Sequence, residues 1–92
     1  MAVKVANSPT KLFEVSWNPS SVAANTAATD TITVTGLDTN MICTMNIGAA
    51  LTAGLVVGQY WISAKNTLSI TFLNSTAAPI DNAAITIKVL VH

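Results

Sequence analysis

Few side chains in this sequence can do acid–base or covalent chemistry, and they stand far apart. His92 is the one histidine and the last residue. A catalytic base needs a rigidly held imidazole, and a chain end commonly frays, so His92 reads as a solvated terminus. Cys43 is the one cysteine, which excludes an intrachain disulfide. A nucleophilic thiolate needs a neighbouring cation or base. Met41 and Met45, which share the strand face of Cys43, offer neither. Cys43 is therefore expected in the core, as a small apolar residue. Glu14, Asp30, Asp38 and Asp81 are the only acids, and no two have metal-ligand spacing. Asp30 is expected to start a strand, and Asp38 and Asp81 to cap backbone amides in turns. No glycine-rich phosphate loop is present. No catalytic, cofactor or metal site is predicted, and the chain reads as non-enzymatic.

What remains is chemistry of contact. Tyr60 and Trp61 are adjacent, so in a strand they point to opposite faces. One should enter the core and the other stay exposed or at a contact. An exposed aromatic can stack on sugar rings or anchor a protein interface. A lone ring is a poor sugar platform, which favours packing between subunits. Thr29, Thr31, Thr33 and Thr35 fall on one strand face. Ice-binding surfaces carry such rows on several adjacent strands, and one row alone reads as a solvated or interface face. Asn74-Ser75-Thr76 matches the glycosylation sequon, a match expected by chance in a chain rich in Asn, Ser and Thr.

The elements that must position these residues are strands. Phe13, Val15 and Trp17 alternate with Leu12, Glu14 and Ser16 over 12–17, the period of two that marks a strand. Asn18-Pro19-Ser20-Ser21 breaks it. Residues 22–29 read as a connection of small residues and 31–35 as a strand, turned by 36–40. Alternation resumes over 41–47, then 55–63 with a bend or bulge at Gly58, and 68–73 after a hairpin turn at 64–67. A loop with Pro79 leads to the last strand, 84–91. Residues 49–57 have room for one helical turn at most, given their glycines. The expectation is all-β: a small antiparallel β-sandwich or flattened barrel of about six strands over 12–92, preceded by an extended N-terminal arm, 1–11.

Composition bounds the partners. The 92 residues carry four Lys, no Arg and four acids, for a net charge of zero. Nucleic acid is not expected, because phosphate neutralisation needs clustered cations. No apolar run approaches the roughly 20 residues needed to span a bilayer, so no membrane is expected either. Residues 1–7 lack the long apolar core of a signal peptide, so the chain reads as made and used without export. Only 9% of residues are charged and 51% are hydrophobic, against about 25% charged in an average domain. A core of this size is marginal, and so neutral a surface suits packing against neighbours. A homo-oligomer is expected. Val3 and Val5 are apolar, and Pro9 disfavours helix at Ser8. They read either as an attachment arm that adds a strand to a neighbour, with Lys4 and Lys11 touching an acidic surface, or as the domain's own first edge strand. The candidate interface residues are Val3, Lys4, Val5, Lys11, Tyr60 and Trp61.

Two stretches carry a resemblance. One runs from Ser16-Trp17-Asn18-Pro19-Ser20-Ser21 into Thr31-Ile32-Thr33-Val34-Thr35-Gly36-Leu37. The other holds Leu51-Thr52-Ala53-Gly54-Leu55, Ser63-Ala64-Lys65-Asn66-Thr67-Leu68 and Thr71-Phe72-Leu73-Asn74-Ser75-Thr76-Ala77-Ala78-Pro79-Ile80-Asp81. Together they resemble small β-rich structural proteins of tailed bacteriophages, most closely capsid decoration (cement) proteins. The resemblance covers 16–91. It implies a homotrimer made in the host cytoplasm and bound to the major capsid protein on the virion's outer shell, which it stabilises against internal DNA pressure. The competing class is an adhesin or binding module of a tail fibre or baseplate.

Overall fold

A computed structural model describes residues 11–48 and 51–92. Six strands follow in order: β1 (Lys11–Trp17), β2 (Thr26–Thr33), β3 (Cys43–Ile47), β4 (Leu55–Ala64), β5 (Thr67–Asn74) and β6 (Ile85–Val91). They form two three-stranded antiparallel sheets, ordered β1-β6-β3 and β2-β5-β4. The fold is thus all-β and a sandwich; the two sheets do not merge into a barrel. No helix occurs among the described residues. Only β4 to β5 is a hairpin within one sheet, and the other connections cross between sheets. Of the arm expected over 1–11, Lys11 is the first residue of β1; the rest lies outside the described residues.

Period-two alternation builds the core. Ile85, Ile87, Val89 and Val91 of β6 face Leu68, Ile70 and Phe72 of β5, and all are buried. These are the central strands of their sheets, so neighbours cover them on both sides. The flanking strands contribute half-buried residues, among them Phe13, Val15, Cys43, Met45, Val57 and Tyr60. Trp17 closes one end, its ring centroid 6.4 Å from that of Phe72. Its indole N–H donates to Asp30 Oδ2 at 3.3 Å, and the same oxygen accepts from the Ser20 amide at 2.9 Å. Asp30 therefore fastens the turn after β1 to the sheet opposite.

Sequence spacing misplaces one strand. The strand expected over 31–35 is observed at Thr26–Thr33, and Asp30 lies inside it rather than at its start. Thr26-Ala27-Ala28-Thr29 has no apolar alternation, so the long-range partner decides. Thr26 to Thr33 pair in register with Asn74 to Thr67. Val34 and Leu37 leave the ladder and enter the core through a turn. Asn66 holds that turn: its side-chain oxygen accepts from the Gly36 amide, and its main chain bonds Val34 and Leu37, all at 2.9 Å. Asn66 itself sits at φ 61°, a left-handed conformation that asparagine tolerates better than most residues. The strand expected over 41–47 starts at Cys43, although Ile42 still exchanges main-chain hydrogen bonds with His92 at 2.8 and 3.1 Å. The irregularity expected at Gly58 is present as a register shift between Val57 and Gln59.

Buried asparagines lock the loops. Asn74 ends β5, opposite both Thr26 of β2 and Leu55 of β4. Its amide nitrogen donates to the carbonyls of Val22 (3.0 Å), Ala23 (3.3 Å) and Ala78 (2.8 Å). Its oxygen accepts from Thr76 N at 2.9 Å and Thr76 Oγ1 at 2.7 Å. Asn82 does the same for the loop before β4, accepting from Thr52 N and Oγ1 at 2.8 and 2.6 Å. Truncating Asn74 leaves several buried groups without partners, and each orphan costs about 1–3 kcal/mol. Asn74→Ala should lower unfolding stability by about 2–3 kcal/mol in urea denaturation, whereas Asn46→Ala, on an exposed position of β3, should stay within about 0.5 kcal/mol.

Candidate interaction surface

The chemically able residues are not brought together. Cys43 lies on the inner face of β3 with Met41 and Met45, as its spacing requires, but it is half-buried rather than enclosed. The reason is that β3 is an edge strand. His92 is exposed and its backbone is tied to Ile42. Asp30 is occupied by Trp17 and Ser20, and Asp38 caps the Asn40 amide at 3.2 Å. Among the described residues no group of three His, Cys, Asp or Glu side chains is placed to hold a metal ion. No buried side-chain polar atom there lacks a hydrogen-bond partner. The sequon asparagine, Asn74, is buried with both amide atoms engaged, so a glycan could be attached only by breaking the latch.

The outer faces of the two sheets differ. On the β1-β6-β3 sheet, Leu12 lies opposite Leu90, which lies opposite Thr44. Ile42 lies two residues before Thr44, so three large apolar side chains cluster at one end. They keep 64% (Leu12), 61% (Ile42) and 37% (Leu90) of their surface in water. Exposed Lys11, the first residue of β1, lies at the same end. Glu14 and Lys88 form the next cross-strand pair, and Ser16 and Thr86 hydrogen-bond at 2.6 Å beyond it. The candidates Val3, Lys4 and Val5 lie outside the described residues.

The outer face of the β2-β5-β4 sheet is neutral. Its rows run Thr33–Thr67, Thr31–Ser69–Trp61, Thr29–Thr71–Gln59 and Ala27–Leu73–Val56, with Ser63 beside Ser69 through a 2.7 Å hydrogen bond. No charged residue falls in these rows. Trp61 and Tyr60 point to opposite faces as expected: Tyr60 is half-buried against the core and Trp61 is 39% exposed. Thr29 and Thr71 bond each other at 2.9 Å. Thr29, Thr31 and Thr33 form the exposed row read from the sequence, but Thr35 lies in the following turn. Below Trp61, Leu73 and Val56 line an open depression with Thr26, Ala27 and Ser75. Sequence reasoning missed the hydroxyls around Trp61 because they come from other strands, and their register is not written in local spacing.

No protein-family model, curated protein or solved structure matches this chain.

Desolvation raises the Cys43 thiol above its usual range. The folded state thus favours the protonated thiol. That stabilising contribution is complete below the unfolded thiol's pKa of about 8.5, and it is lost as pH rises through the higher folded value. Thiol labelling of the native protein should therefore run slower than in denaturant, with its pH profile displaced to higher pH. Cys43→Ala should flatten the fall of stability on the alkaline side.

Proposed function

We propose that the protein is a non-enzymatic virion structural protein that binds the outer surface of a tailed-phage capsid and stabilises the shell. The observation that carries this reading is the apolar cluster of Leu12, Leu90 and Ile42 on the β1-β6-β3 sheet. Exposed leucines at one strand end are wasteful in water and useful in a contact. The cluster lies at the start of β1. Docking through this end seats the cluster on the major capsid protein.

Magnitudes favour several linked copies. Covering all the water-exposed surface of these three side chains returns at most about 7 kcal/mol per subunit, at roughly 25 cal/mol per Å². Association alone costs at least about 4 kcal/mol. One copy would bind marginally, whereas a trimer that engages three capsid subunits gains by avidity.

Antibodies against the chain, applied to phage particles that encode it, should label the shell densely in electron micrographs. On stripped particles, the Leu12→Glu/Leu90→Glu variant should rebind at least ten-fold more weakly than the parent, with an unchanged melting temperature. Label confined to the tail would replace this reading with an adhesin. Absence of label from every part of the particle, or rebinding indifferent to both substitutions, would overturn it.

A further inference from the structure

We infer that the outer face of the β2-β5-β4 sheet is a binding site for a neutral oligosaccharide, with Trp61 as its stacking platform. Three observations converge on that chemistry. The first is the ring. Trp61 keeps 39% of its surface in water, while Ser69, its cross-strand partner, is only 2% exposed. Ser69 is covered between Thr31 and Trp61 on the central strand, and the exposed part of the Trp61 ring is free for the apolar contact that stacking on the C–H face of a sugar requires.

The second is what surrounds the ring. Thr31 flanks it across Ser69, and Gln59 and Ser63 neighbour it along β4. Hydroxyls and a carboxamide both donate and accept, as sugar hydroxyls do. The sequence shows one aromatic alone; the fold supplies the polar groups that a single ring lacks. The third is charge. The rows of this face contain no lysine, aspartate or glutamate. Exposed Lys65 stands only in the β4–β5 turn at the end of the face, so acidic glycans, phosphates and nucleic acid would find no cation in the rows around Trp61, and a neutral ligand loses no ionic solvation against them.

Size separates a glycan from a protein. Seven residues at about 3.3 Å and two strand spacings of about 4.8 Å, with the side chains' own width, make a face of roughly 300 Å². A stable protein interface takes about 800 Å² from each partner, so a second copy stacked on this face would be held weakly. Leu73 and Val56 lie four residues along β5 from the Ser69 row, about 13 Å away, and form a second apolar spot beyond the polar Thr71–Gln59 row. The site therefore fits a short oligosaccharide better than a single sugar. It lies on the sheet opposite the Leu12–Leu90–Ile42 end and does not depend on where the protein sits in a virion.

The test uses the two tryptophan indole N–H signals in heteronuclear NMR, one from Trp61 and one from half-buried Trp17. The probes are tetrasaccharides of glucose, mannose, galactose and N-acetylglucosamine, with oligogalacturonate as the acidic control. At millimolar concentration, at least one neutral tetrasaccharide should move the Trp61 indole and the Gln59 amide signals and leave Trp17 in place. Trp61→Ala should weaken that binding at least ten-fold with an unchanged melting temperature. Thr31→Glu, which keeps the ring and adds a charge beside it, should weaken it too. Failure of every neutral probe, equal or tighter binding of oligogalacturonate, or binding indifferent to both variants would overturn the proposal. So would a Trp61 signal that moves with protein concentration alone, with Trp61→Ala lowering the mass in light scattering, because that assigns the face to a second copy. Shell labelling in micrographs is read separately, so failure of either reading leaves the other standing.

Discussion

The carboxamide of Asn74 is the contact on which the arrangement of this sandwich depends. It lies where three strands meet, opposite Thr26 and Leu55 at once, and its bonds reach the segment before β2 and the loop after β5. A strand that slips by one residue turns every side chain to the other face. Were β2 to slip against β5, Ile32 would leave the core and Thr31 and Thr33 would enter it. Hydrophobic patterning resists that slip at Ile32, but the threonine- and alanine-rich start of β2 offers little resistance of its own. By tying the Val22 and Ala23 carbonyls to the end of β5, Asn74 fixes the register where apolar pattern is weakest. The neutral face around Trp61 exists only in that register.

The scarcity of charge matters through its placement. The described charges lie in turns, at Asp38, Lys65 and Asp81, on the β1-β6-β3 sheet, at Lys11, Glu14 and Lys88, and at hydrogen-bonded Asp30. Flank strands β1, β3, β2 and β4 each leave one side without a partner in their sheet. Natural sheets commonly guard such edges with lysines, prolines and bulges. Here β4 carries its register shift at Gly58 and β1 carries Lys11, whereas β2 and β3 have no charged residue pointing outward. Those edges and the neutral face account for how a chain with 9% charged residues can be water-exposed on both sides and still present surfaces suited to contact.

The fold was largely legible because strand alternation is local. Residues such as Phe13, Val15 and Trp17, or Ile85, Ile87, Val89 and Val91, declare their inward face within a few positions. The misplaced β2 shows the limit. Thr26 to Thr29 are strand because Thr71 to Asn74 accept them, and nothing in their own sequence requires it. The asparagines show a second limit. Asn66 and Asn74 look like ordinary turn residues, and Asn74 also looks like a modification site. Their roles arise from partners 30 and 52 residues away. Trp61 was identifiable as the exposed or buried half of an aromatic pair, but its neighbours Thr31 and Ser69 come from two other strands, so the chemistry around it belongs to the tertiary structure.

A two-sheet sandwich separates its surfaces in a way that a single-faced fold does not. The outward normals of the two sheets point in opposite directions, with the β5 and β6 core between them. A partner seated on Leu12, Leu90 and Ile42 therefore leaves the Trp61 face turned away from it. Between the two lies the core, where Leu68, Ile70, Ile87 and Val89 of β5 and β6 are fully buried. Substitutions on one outer face change neither the core nor the opposite face, and effects at sites so separated should be close to additive. The two outer faces are thus separate surfaces, and a ligand on one needs no conformational change at the other.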